Sequence, residues 1–198
     1  MTLQAAPGPT HPAIPEVGFV STPPTAARNP GGGTRGRSSA EIYGTIVRDI
    51  MTMKVVTVDA GATLEVAAAL LAGKGISGMP VLTADGQVDG ILSEKDILAK
   101  LREKAGLLVP GGLFQLILET NEGRQRDLLI RCRSVLTATH VREAMTSPAH
   151  VISPSTTIVD AAREMTRRRI NRLPVVDHGK LVGIVSRGDV LAAYVEPI

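Results

Sequence analysis

The chain contains one pattern twice. VRDIMT begins at Val47 and VREAMT at Val141, which places Met51 and Met145 94 positions apart. At that same offset Val58 meets Ile152, Thr63 meets Thr157, Leu64 meets Ile158, Pro80 meets Pro174 and Val81 meets Val175. The offset then drops to 93, at which Gly90 meets Gly183, Ser93 meets Ser186 and Asp96 meets Asp189. A one-residue change is tolerated where a surface turn absorbs it. A register this long makes the chain two similar halves.

Each half reads in the same order. A β-rich run comes first, VVTV at 55–58 and HVIS at 150–153. A helix follows with Thr63 or Thr157 as N-cap, and Asp160 is placed to complete a capping box in the second copy. Leu64, Ala67, Ala68 and Leu71 fall at i, i+3, i+4 and i+7, as do Ile158, Ala161, Ala162 and Met165, one buried stripe per copy. MPVL at 79–82 and LPVV at 173–176 read as strands. Asp85-Gly86 and His178-Gly179 turn the chain into a further strand, VDGILS or LVGIVS, and a second helix starts at Ser93 or Ser186. The order is β-α-β-β-α twice, an α/β (α+β) fold.

The rest of the chain does not repeat. Residues 1–40 are rich in Pro, Gly, Thr and Ser, with too little apolar surface to offset the entropy of ordering, so a disordered tail is expected. Residues 105–139 separate the halves, taken as 45–104 and 140–198. GLLVPGG reads as a loop, and about 124–137 reads as a helix with Leu128, Cys132 and Val135 on one side. An insert packing outside the pair, at a subunit contact, is expected.

Aromatic residues make up only 2% of the chain, so the core has to come from Val, Ile, Leu, Ala and Met. A single cysteine excludes an intrachain disulfide and fits a reducing cytoplasm. No run of about 18 apolar residues is present, and Pro7, Pro9, Pro12 and Pro15 break any leader, so neither a membrane span nor a signal peptide is expected. The net charge of +3 is a mild excess that does not compel a nucleic-acid partner.

These repeats, with "GISGMPVL" and "GILSEKDIL" in one copy and "RINRLPVV" and "GIVSRGDVL" in the other, resemble the CBS domain family. The resemblance implies paired repeats packed through their sheets with pseudo-two-fold symmetry, leaving two clefts. It implies AMP, ADP, ATP or S-adenosylmethionine as a regulatory ligand, a homodimer, and an effector protein that reads the bound state. A stand-alone regulatory protein of bacterial type is the nearest kin, with no catalytic role.

On that reading Ser186 with Asp189, and Ser93 with Asp96, are the leading site residues. A carboxylate accepts two hydrogen bonds and suits a vicinal diol such as that of ribose. The same S-x-x-D spacing at a strand-to-helix junction is also a capping box, and both roles can hold together. Gly90 and Gly183 are placed to let a ligand approach the strand backbone. The second copy carries Arg167, Arg168, Arg169 and Arg172 where the first has few charges, so the cleft carrying second-copy residues is expected to bind better. The resemblance makes Arg172 a phosphate ligand, with Arg187 in reach. Arginines closing a helix also simply complement its dipole. The base is expected against Ile170 and Pro174, or Ile76 and Pro80, with the backbone at Val58 or Ile152 on its edge and Thr156 at the ribose.

Other chemistry finds no support. The four histidines are scattered without metal-ligand spacing, and no phosphate loop or nucleophile elbow is present. A nucleic-acid-binding alternative lacks stacking aromatics near the arginines. A purely structural dimerisation module stays open.

Overall fold

A helix leaves its first N–H groups open, and a threonine oxygen just before the helix can take one of them. The computed structural model describes residues 44–106 and 122–194. In chain order its elements are α1 (Val47–Ile50), β1 (Val58–Asp59), α2 (Leu64–Lys74), β2 (Gly78–Leu82), β3 (Val88–Ser93) and α3 (Glu94–Ala105), then α4 (Glu122–Ala138), α5 (Ile158–Arg168), β4 (Arg172–Asp177), β5 (Lys180–Ser186) and α6 (Arg187–Tyr194). The tail and most of the GLLVPGG segment lie outside the described residues.

Thr63 Oγ1 accepts from Val66 N at 3.4 Å to start α2, and Thr157 Oγ1 accepts from Asp160 N at 3.1 Å to start α5. The capping box expected at Asp160 is half formed. Its carboxylate takes the Thr157 hydroxyl at 2.8 Å and Arg163 at 2.9 Å. The helical stripes go inward as their spacing requires: α2 buries Leu64, Ala67 and Leu71, and α5 buries Ile158, Ala161 and Met165. Each large side chain so covered contributes roughly 1.5–3 kcal/mol.

The strands are antiparallel hairpins, β2 with β3 and β4 with β5, each with a register shift at the matching place, Val81/Leu82 and Val175/Val176. The runs expected as first strands are much shorter than the β-rich pattern suggests. β1 pairs parallel to β2 over Val58 and Asp59 alone, and Ile152 makes a single bridge to Val175. Turns cut both runs: Val55 N donates to Met53 O, Ala62 N to Asp59 O, and Thr156 N to Ser153 O. The second hairpin closes through His178 and Gly179, both at positive φ (46° and 79°). That pair of angles gives a two-residue turn the hand that matches strand twist.

The two halves exchange their leaders. Thr52 and Ile184 bond to each other through both N–H groups, at 2.9 and 3.0 Å, and so do Thr146 and Ile91. The opening stretch, or leader, of the first repeat thus extends the second repeat's sheet, and the reverse holds. The same crossing sets the cores. Val47, fully buried, sits among Ala161, Met165, Leu173, Val175 and Val185. Val141, also fully buried, sits among Leu64, Met79, Val81 and Leu92. Each repeat therefore closes only when its twin's leader arrives. Helix α4, between the two repeats, packs on α2 and α3 of the first repeat. Cys132 is buried there, with Leu128, Val135 and Leu136 beside it. Leu129 and Ile130 on its other side stay exposed.

Candidate functional site

Exchange of leaders places the start of one repeat's second helix opposite the loop before the other repeat's second strand. Two clefts result, related by the repeat. One holds Ser186 and Asp189 with Thr52, Val55, Val56, Ile76, Ser77 and Gly78, and its volume is about 290 Å³. Its counterpart holds Ser93 and Asp96 with Thr146, Ala149, His150, Arg169, Ile170 and Asn171, and its volume is about 210 Å³. These volumes lie at or below the lower end for small-molecule pockets, so a ligand would be only partly enclosed. A wider, shallow depression over Val159, Ala162 and Arg163 of α5 and Tyr194 is lined by exposed ion pairs and by Thr166, whose hydroxyl is spent on Ala162 O at 2.9 Å.

The carboxylates are oriented by their own helix starts. Asp189 Oδ2 accepts from Ser186 N and Ser186 Oγ, both at 2.7 Å, while Asp189 N donates to Ser186 Oγ at 3.3 Å. Asp96 Oδ2 accepts from Ser93 N at 2.8 Å and Ser93 Oγ at 2.6 Å. Capping therefore uses one oxygen of each carboxylate. Among the described residues nothing donates to Oδ1 of either. Both roles read in the S-x-x-D spacing are geometrically compatible, with one oxygen holding the helix and the other open in the cleft.

The expectation that second-copy residues share one cleft is corrected by the exchange. Asp189 and Ser186 face Ile76, whereas Ile170 faces Asp96 and Ser93. Arg172 lines both clefts. Its Nη2 donates to Ser77 Oγ of the other repeat at 2.7 Å. A β-carbon on Gly78 would collide with that guanidinium and would lie 2.8 Å from Leu92 O, so glycine is what lets the arginine cross. Burial pulls the Arg172 guanidinium below its ordinary value, while Glu94 and Asp96 push it the other way. An arginine in such a place stays charged.

Several expected site residues lie elsewhere. Arg187 turns away from the clefts and closes the end of α5, with Nε on Ile170 O at 3.1 Å and Nη2 on Met165 O at 3.2 Å. Val58 is core, and Pro80 and Pro174 are buried inside their hairpins. The Ile152 backbone is used up: its N–H goes to Pro174 O at 3.0 Å, and its carbonyl takes Val176 N at 2.9 Å. Thr156 N is held by Ser153 O, and its carbonyl takes Val47 N. Gly90 and Gly183 do not admit a ligand either. A β-carbon on Gly183 would lie 2.5 Å from Met51 Sδ, and one on Gly90 would lie 2.7 Å from Met145 Sδ. The exchanged leaders fill that space.

Other cleft residues are absent from the sequence reading: Thr52 and Val56 on one side, and Lys95 and His150 on the other. Thr52 belongs to the VRDIMT leader, whose repetition is visible but whose destination is not. Val56 shows where pairing stops, since β1 begins only at Val58. Arg167 stays out of the clefts, paired with Glu164 at 2.6 Å, whereas Arg168, paired with Glu164 at 2.8 Å, also meets the ring nitrogen of the cleft residue His150 at 3.0 Å. Among the described residues no group of three His, Cys, Asp or Glu side chains is placed to hold a metal ion. No helix there is long and apolar enough to cross a membrane.

Two β-α-β-β-α repeats folded into each other, with a carboxylate-bearing cleft on either side, define a CBS pair. The CBS domain family matches residues 47–103 and 141–196, and the chain belongs to it. It is 35% identical over 154 residues to an uncharacterized protein, MJ1426, of Methanocaldococcus jannaschii, covering 76% of this chain and 91% of that one. The CBS domain of a CBS domain-containing membrane protein from Sphaerobacter thermophilus matches with a TM-score of 0.61 at 28% identity, covering 78% and 90% of the two chains. CBSX2 of Arabidopsis thaliana, solved in complex with AMP, matches with a TM-score of 0.55 at 31% identity, covering 76% and 96%.

Proposed function

We propose that this chain is a regulatory module that binds an adenosine ligand (AMP, ADP, ATP or S-adenosylmethionine) in the clefts between its repeats and passes the bound state to a partner protein. The carrying observation is the divided use of Asp189. Its Oδ2 is held by Ser186 at 2.7 Å, and its Oδ1 accepts nothing among the described residues. A fixed carboxylate with one free oxygen is suited to a ribose diol, and hydrogen bonds to a charged acceptor are each worth about 1.5–3 kcal/mol. Val55, Val56 and Ile76 in the same cleft offer an apolar slot for a base. Crystallisation of the 31% identical CBSX2 with AMP supports the same ligand class. Signalling requires that the ligand favour one arrangement of the halves over another, since only differential affinity shifts an equilibrium. The role is regulatory rather than catalytic, and the module acts in the cytoplasm as a homodimer.

Thermal unfolding tests the reading. AMP, ADP, ATP and S-adenosylmethionine are each added to the purified chain. A ligand at a hundred times its Kd stabilises the fold by about 2.7 kcal/mol, a readily measured rise in Tm. The Asp96→Ala/Asp189→Ala double variant should lose that rise. No shift with any of the four at millimolar concentration contradicts the proposal.

A further inference from the structure

We propose that the two clefts select different ligands: the Asp96 cleft demands a phosphate-bearing adenosine ligand, whereas the Asp189 cleft takes the adenosine moiety with or without phosphate. This rests on the nucleotide reading above and adds a division of labour to it.

The fold leaves several charges in the clefts unpaired. Lys95, Arg169 and Arg172 all line the Asp96 cleft. Among the described residues none of the three has a carboxylate within ion-pair distance, whereas Arg163, Arg167 and Arg168 nearby on α5 are all paired. At the matching positions of the other repeat stand Gly188, Gly75 and Gly78. The Asp189 cleft holds one lysine of its own, Lys54, and borrows Arg172, which is already tied there to Ser77. Of the acidic groups, Glu94 and Asp96, both on the Asp96 side, are the ones that bear on Arg172 electrostatically.

Arg169 strengthens the assignment. It ends α5 at φ 55°, in the left-handed region, where Gly75 ends α2 at φ 62°. Glycine adopts that angle freely and arginine does so at a cost, and strain of this kind concentrates at functional positions. The first repeat uses glycine at this helix end, and the second keeps a cation facing the cleft. A phosphate chain offers several anionic oxygens to such cations, and the attraction weakens as salt screens it.

The test uses calorimetric titration of the full chain and two single-cleft variants with adenosine, AMP, ADP and ATP at low and high salt. Asp189→Ala leaves the Asp96 cleft, which should prefer the phosphorylated ligands over adenosine by about tenfold or more, corresponding to a single good charge-assisted contact. That preference should shrink with salt and vanish in an added Arg169→Gly change. Glycine suits the φ at that position, so its loss cannot be ascribed to misfolding. Asp96→Ala leaves the Asp189 cleft, which should bind adenosine and AMP within about threefold of each other, since its cations are Lys54 alone and the Arg172 already tied to Ser77, against Lys95, Arg169 and Arg172 in the other cleft. Equal phosphate preference in the two variants, or a stronger preference in the Asp189 cleft, overturns the division of labour while leaving nucleotide binding intact. Silence of the unaltered chain towards all four ligands overturns the nucleotide reading itself, and this inference with it.

Discussion

The Met51 sulfur lies 2.5 Å from where a β-carbon on Gly183 would stand, and the repeat sets Met145 over Gly90 in the same way at 2.7 Å. Each methionine belongs to a leader and each glycine to a strand of the opposite repeat. The glycines are therefore the points at which two copies of one pattern become one folded unit.

A Gly183→Ala substitution should destabilise the chain by about 1–3 kcal/mol, the usual cost of forcing extra volume into a packed site. Adding Met51→Ala removes the side chain the new methyl meets. The double variant should then lose less stability than the two single losses combined, as coupled neighbours do. Urea unfolding of the four proteins checks this, and strict additivity would separate Met51 from Gly183.

Arg169→Gly should raise stability by roughly 0.5–1 kcal/mol, because glycine adopts the left-handed angle that arginine resists. The same change should weaken phosphate-bearing ligands in the Asp96 cleft. Opposite signs in unfolding and in titration are the expected outcome, as at positions where function holds a strained residue.

Glu143 joins the second leader to α3. Its carboxyl takes His140 N at 2.9 Å and Lys104 Nζ at 3.3 Å. Those bonds, the His140 backbone foremost, lower its pKa from 4.5 to about 2. A group depressed in the folded state adds stability above its ordinary value and loses it as pH falls through the folded one. The loss should therefore fall between pH 4.5 and about 2. Melting curves of Glu143→Gln across that window should show a flatter acid limb than the unaltered chain, with neutral pH as the reference.

Burial pushes the Cys132 thiol above its ordinary value, with Arg131 opposing, and the side chain is only 7% exposed. Alkylation requires the thiolate and access to it. Iodoacetamide should react far more slowly with the folded chain than with the chain in urea, by a ratio that follows the opening of α4 from α2 and α3. Equal rates would place Cys132 outside the core.

Much of this architecture is written in local pattern. Thr63 and Thr157 announce their helices, and the stripes beginning at Leu64 and Ile158 go inward as their spacing demands. His178-Gly179 makes the turn its residue types favour. The exchange of leaders is a different matter. Whether Met51 packs on its own repeat or on its twin depends on which glycine lies beneath it, and Gly90 and Gly183 are the same residue type in equivalent places. Periodicity carries no information about that choice. The site reading inherits the ambiguity: Ser186 and Asp189 are legible as a pair, but their partners Val56 and Ile76 come from the other repeat. Arg187 is misleading for a similar reason, because its place in the turn does not reveal that two carbonyls at the end of α5 would claim it. Arg172 is legible as a cation and illegible as a bridge, since only the fold brings Ser77 to it.

The central claim is that residues of both repeats build each cleft and that adenosine ligands enter there. Backbone amide shifts during titration of the labelled chain with AMP measure this most directly. The account predicts that Val56, Ser77 and Gly78 move together with Ser186 and Gly188, and that Ile170 and Asn171 move together with Ser93 and Lys95. Shifts confined to residues of a single repeat, or gathered instead around Val159, Ala162 and Tyr194, would contradict it.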